Sequence, residues 1–428
     1  MKKYILLLVL PLFFSCADDI DKESYKVIEL PLEAKDGYGA FSPSSSVISL
    51  EPRSQNNPWR KTDLELSGVP EEWNKSIVKQ IWFDARQFAY QNFKAGNIDS
   101  VMFAGLKESW DFDPNNELYS SEPIKSFTHI ALSETRDGNI FYRLDTDNDL
   151  DFSDEETFQT KNETGVFGSG KTHSVKLEVF RNGKVEQQET KLKISHFPFG
   201  LIYNFPVHYT ASMNDHIIQV SNGFESTDFR DIASLVIDAE DSALVYIPIE
   251  LNEYLKLDGR IFQNLGVDEN KMVLKLKELP SDTLLYSTQI GVQAKPITGK
   301  EFTSGKEISL NDYKGKFVFL DFWGSWCAPC IDELPMHVEV YNTIDKSKIE
   351  FLGIAGNDNN ERLSKTLTQF NVEWNQILSN EIPDQYGITG YPTSFLIDPD
   401  GIIVAKNLRG ASFPDSLDHY LKNYFPNE

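Results

Sequence analysis

A Cys-x-x-Cys pair between an apolar strand and a helix constrains this chain more than any other feature. Phe317-Val318-Phe319-Leu320-Asp321-Phe322-Trp323 has the composition of a buried strand. Ile331 to Val340 reads as a helix, and Trp326-Cys327-Ala328-Pro329-Cys330 joins the two. At such a junction the first sulfur lies at a helix N-terminus, where unpaired N–H groups and the helix dipole stabilise a thiolate. Thiol–disulfide exchange requires that thiolate. The chain has three cysteines, so the alternatives are few. A structural zinc site needs four ligands; there is no second Cys pair, and His337 alone does not complete a site. A purely structural disulfide would close a very short loop and gain little chain entropy.

The third cysteine belongs to the N-terminus. Lys2-Lys3 precede an apolar segment, Ile5 to Phe14, that is too short to span a bilayer, and Ser15-Cys16 follows. This arrangement resembles a bacterial lipoprotein signal, which implies removal of residues 1–15 and lipidation of Cys16. Asp18-Asp19 resembles the acidic export tag of some surface lipoproteins. An ordinary cleaved signal peptide with an incidental cysteine is the alternative. On either reading the protein leaves the cytoplasm. On the first it is lipid-anchored in the bacterial cell envelope, at the outer membrane on its periplasmic or surface side, with residues 16–27 as a tether. Thiols tend to oxidise outside the cytoplasm, and a mature chain with one vicinal pair to spare favours an active redox couple over staples.

The 428 residues suggest two or three domains, and 40% hydrophobic content is ample for their cores. A net charge of −24 argues against nucleic acid and anionic surfaces as partners. Residues 28–288 read as mostly β. Asn182-Gly183 turns a hairpin over 174–194, and Asp137-Gly138 turns another between His129–Leu132 and Ile140–Leu144. Ser234–Ile237, Ala243–Ile249 and Met272–Leu276 are further strand candidates. The periodicity of 71–95 does not decide between a helix and two strands. A seam near 200–225 would divide the region into two β domains. From 291 to 428 strands and helices alternate. Phe317–Phe322 is a strand, Pro329 to Asp345 a helix kinked at Pro335, Ile349–Ala355 a strand, Glu361–Phe370 a helix and Trp374–Leu378 a short strand. Asp398-Pro399-Asp400-Gly401 turns a hairpin between Ser394–Ile397 and Ile402–Ala405, and Ser412–Tyr424 is a terminal helix. The expected architecture is therefore multidomain: a mostly β N-terminal region, then an α/β unit with a central mixed sheet flanked by helices.

Residues 290–428 resemble the thioredoxin superfamily, specifically the TlpA/ResA-like exported thiol-disulfide oxidoreductases. The resemblance rests on the stretch from Asp321 to Cys330, on Tyr391-Pro392-Thr393 at the place of the family's cis-proline loop, and on Glu333 and Pro335 after the second cysteine. It implies a thioredoxin fold and a membrane-anchored enzyme that reduces protein disulfides. Its partners would be protein thiol and disulfide substrates and an upstream thiol donor, and the redox chemistry would need no cofactor. Cys327 would be the accessible nucleophile and Cys330 the more buried resolving thiol, the two forming the redox disulfide. Pro329 would stiffen the loop that Trp326 and Ala328 complete. Pro392, in cis, would set the backbone of Tyr391 and Thr393 beside the sulfurs, where a substrate strand pairs. Asp321 matches the buried acid of thioredoxin, and Glu333 offers a second carboxylate from the helix. Which of them exchanges a proton with the cysteines is open, as is a plain solvated role for Glu333. Reduction is the expected direction, with oxidation and isomerisation open. A surface lipoprotein that binds glycan or protein through its β region, with a secondary redox domain, is the competing function.

Two further motifs lie in the β region. Asp145, Asp147, Asp149, Asp151 and Glu156 fall at the oxygen-ligand spacing of an EF-hand loop, Asp151 through its carbonyl. Leu150 stands where that loop wants Gly. A calcium site and a solvated acidic turn are both compatible with this stretch. Gly165 to Thr172 matches the P-loop pattern, but no apolar strand precedes it and a strand pattern follows it, so it reads as a Gly-rich turn.

Overall fold

In the computed structural model of this protein, which describes residues 25–73, 75–114, 117–160, 170–197, 200–229, 232–239 and 246–425, all seven residues of Phe317–Trp323 are buried. A strand covered on both faces needs such a run. It is the centre of a five-stranded sheet in the order Asn375–Leu378, Ile349–Ala355, Phe317–Trp323, Thr393–Ile397, Ile403–Lys406. The first three strands run parallel and the last two are added antiparallel. Alternation divides the side chains of the central strand between two cores. Phe317, Phe319 and Trp323 join Cys327, Cys330, Leu334, Leu363 and Leu417 from three helices. Val318, Leu320 and Phe322 join Ile382 and Tyr386 on the other face. Asp321 has the parity of Phe319 and Trp323, so it faces the side that holds the cysteines.

The helices covering the first face are Ala328–Thr343, Asn360–Phe370 and Phe413–Tyr424. The first has Pro329 in its opening turn, where a missing N–H costs nothing. It continues through Pro335, which has no N–H to give to the Ile331 carbonyl. The six-residue helix Glu381–Tyr386 on the other face was not expected; it is too short to show a period, and Pro383 masks it. This mixed sheet between helices is the thioredoxin arrangement. The compact unit spans Pro280–Glu428, and Tyr286–Ser287, ahead of residue 291, pairs with Gln293–Ala294.

The described residues up to Leu279 form the other compact unit, and among them lie four antiparallel four-stranded sheets. Lys171–Arg181 pairs with Lys184–Phe197 across Asn182-Gly183, whose φ values of 50° and 72° are those a two-residue hairpin turn of this type requires. Phe127–Glu134 and Ile140–Leu144 form the second expected hairpin. One core draws on Ile81, Ile130, Tyr142, Val175, Leu192 and Leu201; another on Leu30, Ile218, Leu235, Phe262, Leu274 and Leu276. Two departures stand out. The ambiguous stretch 71–95 is a strand, Ser76–Trp82, followed by a helix, Ala85–Lys94, which the Asp84 side chain caps through the Gln87 N–H. A second helix, Ser100–Ser109, follows with Asp99 as its cap. In the expected strand Ala243–Ile249, the described part makes only a bridge from Ile249 to Leu235. Residues 1–15, Cys16 and the tether as far as 24 lie outside the described residues, as do 165–169 of the Gly-rich turn and 243–245. Among the described residues no helix is long and apolar enough to cross a membrane.

Candidate active site

Cys327 ends an extended stretch and caps the Ala328–Thr343 helix. Its sulfur accepts the Cys330 backbone N–H at 3.3 Å, one of the donors a helix start leaves unpaired. The two cysteines are joined in a disulfide, with Cα atoms 5.2 Å apart. The sequence led us to expect an accessible first sulfur and a more buried second one. Instead Cys327 is 5% exposed and Cys330 4%, because both pack into the core that contains Trp323 and Leu334. Trp326 carries the exposed surface of the loop, at 46%. Its ring stands edge-on to Tyr391, centroids 5.5 Å apart, and its Nε1–H donates to the Gly356 carbonyl at 3.0 Å. Gly356 allows this approach: a Cβ there would sit 2.1 Å from the Tyr391 hydroxyl. The Tyr391–Pro392 peptide is cis, and Thr393 Oγ1 donates to the Gly390 carbonyl at 2.8 Å.

The loop before the cysteines is held from the next strand's end. The Asp358 carboxylate accepts the Ser325 N–H at 2.6 Å and the Ser325 hydroxyl at 2.8 Å. Its side chain is fully buried, with Arg362 Nε 3.4 Å away. Trp323 Nε1–H donates to the buried Gln376 amide oxygen at 2.9 Å.

Asp321, Glu333, His337 and Arg409 are ionisable residues that act on one another on the cysteine side of the sheet. Burial pushes the Asp321 carboxyl up to about 7; neighbouring Glu333 adds to the rise and Arg409 opposes it. Glu333, three residues after Cys330, is not a solvated helix residue: its side chain is 17% exposed. Arg409 Nε approaches its two oxygens at 3.2 and 3.3 Å, and the Gly410 N–H donates to it at 3.2 Å. His337, one turn further along the helix, packs against Phe319 and Phe413. Burial, with Arg409 adding to it, pushes its imidazole down to about 4, and its Nε2 has no hydrogen-bond partner among the described residues.

Sequence reading missed Arg409, Asp358 and Gln376. Arg409 is 76 residues from Glu333 and belongs to no motif. Asp358-Asn359 had one legible signal, a helix-capping pair directly after an apolar strand.

The acidic loop of the β region comes only partly together. Asp145, Asp147 and Asp149 each place a carboxylate oxygen within 4.8 Å of the others, and the Glu156 carboxylate is not among that group. Asp145 is buried, which pushes its carboxyl up to about 6, and it accepts the Asp149 and Leu150 N–H groups at 3.0 and 3.2 Å. Asp151 instead accepts the Ser153 N–H and hydroxyl at 2.9 and 2.8 Å. Glu155, not Glu156, reaches back, to the Thr146 hydroxyl at 2.8 Å. Leu150 adopts the left-handed conformation of the absent Gly, with φ 73°.

Comparison with known proteins gives consistent matches. The AhpC/TSA family pattern matches residues 290–406. The thiol-disulfide oxidoreductase ResA of Bacillus cereus is 32% identical over 151 residues, which cover 33% of this chain and 87% of that protein. The protein of the same description from Bacillus subtilis is 32% identical over 130 residues, 30% of this chain and 72% of its own length. Among solved structures, the thioredoxin domain of a thiol-disulfide oxidoreductase from Bacteroides vulgatus is 33% identical and covers 32% of this chain and 99% of that one, with a TM-score of 0.30.

Proposed function

Because this chain belongs, through its C-terminal third, to the ResA family of thiol-disulfide oxidoreductases, we propose that it is an exported, membrane-anchored enzyme that reduces disulfides of other proteins through Cys327 and Cys330. The observation that carries this reading is the Cys327 sulfur at the head of a helix, hydrogen-bonded to the Cys330 N–H and disulfide-linked to Cys330. Export and anchoring are supported by the basic, apolar and Ser15-Cys16 segments of the N-terminus.

In the reduced protein the Cys327 thiolate attacks one sulfur of a substrate disulfide. A bond from Cys327 to that sulfur forms as the substrate S–S bond breaks, and the other substrate sulfur leaves as a thiolate that takes a proton from water. Cys330 then gives up its thiol proton to a carboxylate and attacks the Cys327 sulfur. The mixed disulfide breaks, the second substrate thiolate leaves, and the Cys327–Cys330 disulfide remains. Two electrons have passed to the substrate, and an upstream dithiol returns them by the same exchange. Asp321, with its carboxyl pushed up to about 7, suits a group that accepts and releases a proton near neutral pH. Trp326 and Tyr391 supply an aromatic surface beside the pair, and an extended substrate segment would dock along the backbone of Tyr391 and Thr393.

The test is reduction of insulin by the full-length protein with dithiothreitol as donor. Cys327→Ser should fall to the uncatalysed rate; survival of activity in that variant would end the proposal. Cys330→Ala should accumulate mixed disulfides with substrate proteins, identifiable by mass spectrometry. Cys16→Ala should release the protein from the membrane fraction.

A further inference from the structure

Arg409 lies between the strand Ile403–Lys406 and the helix Phe413–Tyr424, and its guanidinium meets two other parts of the fold. Through Nε it holds the Glu333 carboxylate, which projects from the helix that Cys327 caps. Through Nη1 it donates to the Pro392 carbonyl at 3.0 Å, directly before the strand Thr393–Ile397. The Gly410 N–H adds a contact to the same carboxylate. The pair is partly sheltered, with Arg409 and Glu333 side chains 33% and 17% exposed.

We propose that Arg409 is a positioning residue for the exchange reaction. It ties the cysteine-bearing helix to the proline loop, and it commits the Glu333 carboxylate to that tie, leaving Asp321 to exchange its proton with Cys330. This inference rests on the disulfide-reductase reading above.

The chemistry of the guanidinium favours this role. A planar fork with several N–H groups can hold a carboxylate with one edge and a carbonyl with another, which a lysine ammonium cannot do with the same fixed geometry. Glu333 already receives contacts from Arg409 and Gly410, so moving it toward a thiol would break the tie. Asp321 has no such engagement with Arg409; it feels Arg409 and Glu333 as charges of opposite sign. The charged groups that act on Asp321 are Glu333 and Arg409, and Cys330 lies in the core on the same face of the sheet. Its register partners on the flanking strands, Gly353 and Ser394, carry no charge.

The experiment measures the pH profile of insulin reduction, with thiolate absorbance of the reduced full-length protein, for four variants. Arg409→Gln removes the cation that lowers Asp321, so the proton-transfer midpoint should move up by about one pH unit and kcat/KM at pH 7 should fall roughly tenfold. Arg409→Lys should restore the midpoint but only part of the rate, because the charge returns without the fork. Glu333→Gln should move the midpoint downward, and Asp321→Asn should abolish that ionisation. A wild-type profile and rate in Arg409→Gln would overturn the proposal. So would a lowered melting temperature with an unmoved midpoint, or loss of the ionisation in Glu333→Gln instead of Asp321→Asn. Cys327→Ser is run alongside. If it stays active, the reductase reading falls; if it is dead while Arg409→Gln matches wild type, only the Arg409 assignment falls.

Discussion

Asp321 and His337 are buried ionisable residues whose protons act on stability in opposite senses. The Asp321 carboxyl rises from 3.8 to about 7 on folding. Between those values the native state holds a proton that the unfolded chain has lost, so its contribution to stability declines as pH rises through the window. His337 falls from 6.5 to about 4. There the unfolded chain binds the extra proton, so its contribution is full above about 6.5 and is lost as pH falls toward 4. Asp321→Asn should therefore stabilise the protein at pH 8 by on the order of 2–3 kcal/mol and leave it nearly unchanged near pH 4. Urea unfolding at both pH values checks this, and an equal gain at both would contradict it. His337→Leu should flatten the acid side of the stability profile. Asp321 was legible in the sequence because a lone charge inside an apolar strand needs a reason. Arg409 was not, because its partners are brought to it by the sheet and not by spacing.

Elements read well wherever one period runs between two clear stops. Asn182-Gly183 forces its hairpin locally, since both residues accept positive φ. The stretch 71–95 failed because a strand period and a helix period share one window, and only the Asp84 cap marks the change. The connection after Ile349–Ala355 shows how one element fixes another. Asp358 holds Ser325 by two hydrogen bonds and so holds the approach to Cys327. Asp358→Ala should cost about 2–3 kcal/mol, because a buried acceptor is lost together with its bonds to Ser325 and to the Asn359 N–H. It should also slow insulin reduction, whereas Asp358→Asn, which keeps one acceptor oxygen, should lose less on both counts. Chemical denaturation beside the insulin assay separates these outcomes, and equal losses in the two variants would contradict the account.

At the scale of the whole molecule, the two units were unequally legible. The C-terminal unit announces itself through short motifs whose residues act close to where they stand in sequence. The N-terminal unit is closed by distant partners: Val27–Pro31 pairs with Val273–Leu279, and Glu29 meets Lys271 across 242 residues. No local motif encodes such a pairing. The boundary itself is testable. A fragment starting at Pro280 should melt cooperatively, and one starting at 291 should melt at least several degrees lower. The shorter fragment lacks the Tyr286–Ser287 pairing and Ile290, which packs on the core; equal melting temperatures would refute the placement. The deep seating of both sulfurs has a consequence for the company this enzyme keeps. A small thiol reaches a disulfide that presents so little surface only when it is in large excess, as dithiothreitol is in the insulin assay. A protein that lays an extended segment against Trp326 and Tyr391 uses its own binding to bring the reacting sulfur within range. On the proposed reductase reading, fit would then count for more than abundance in deciding which partners exchange electrons with the pair.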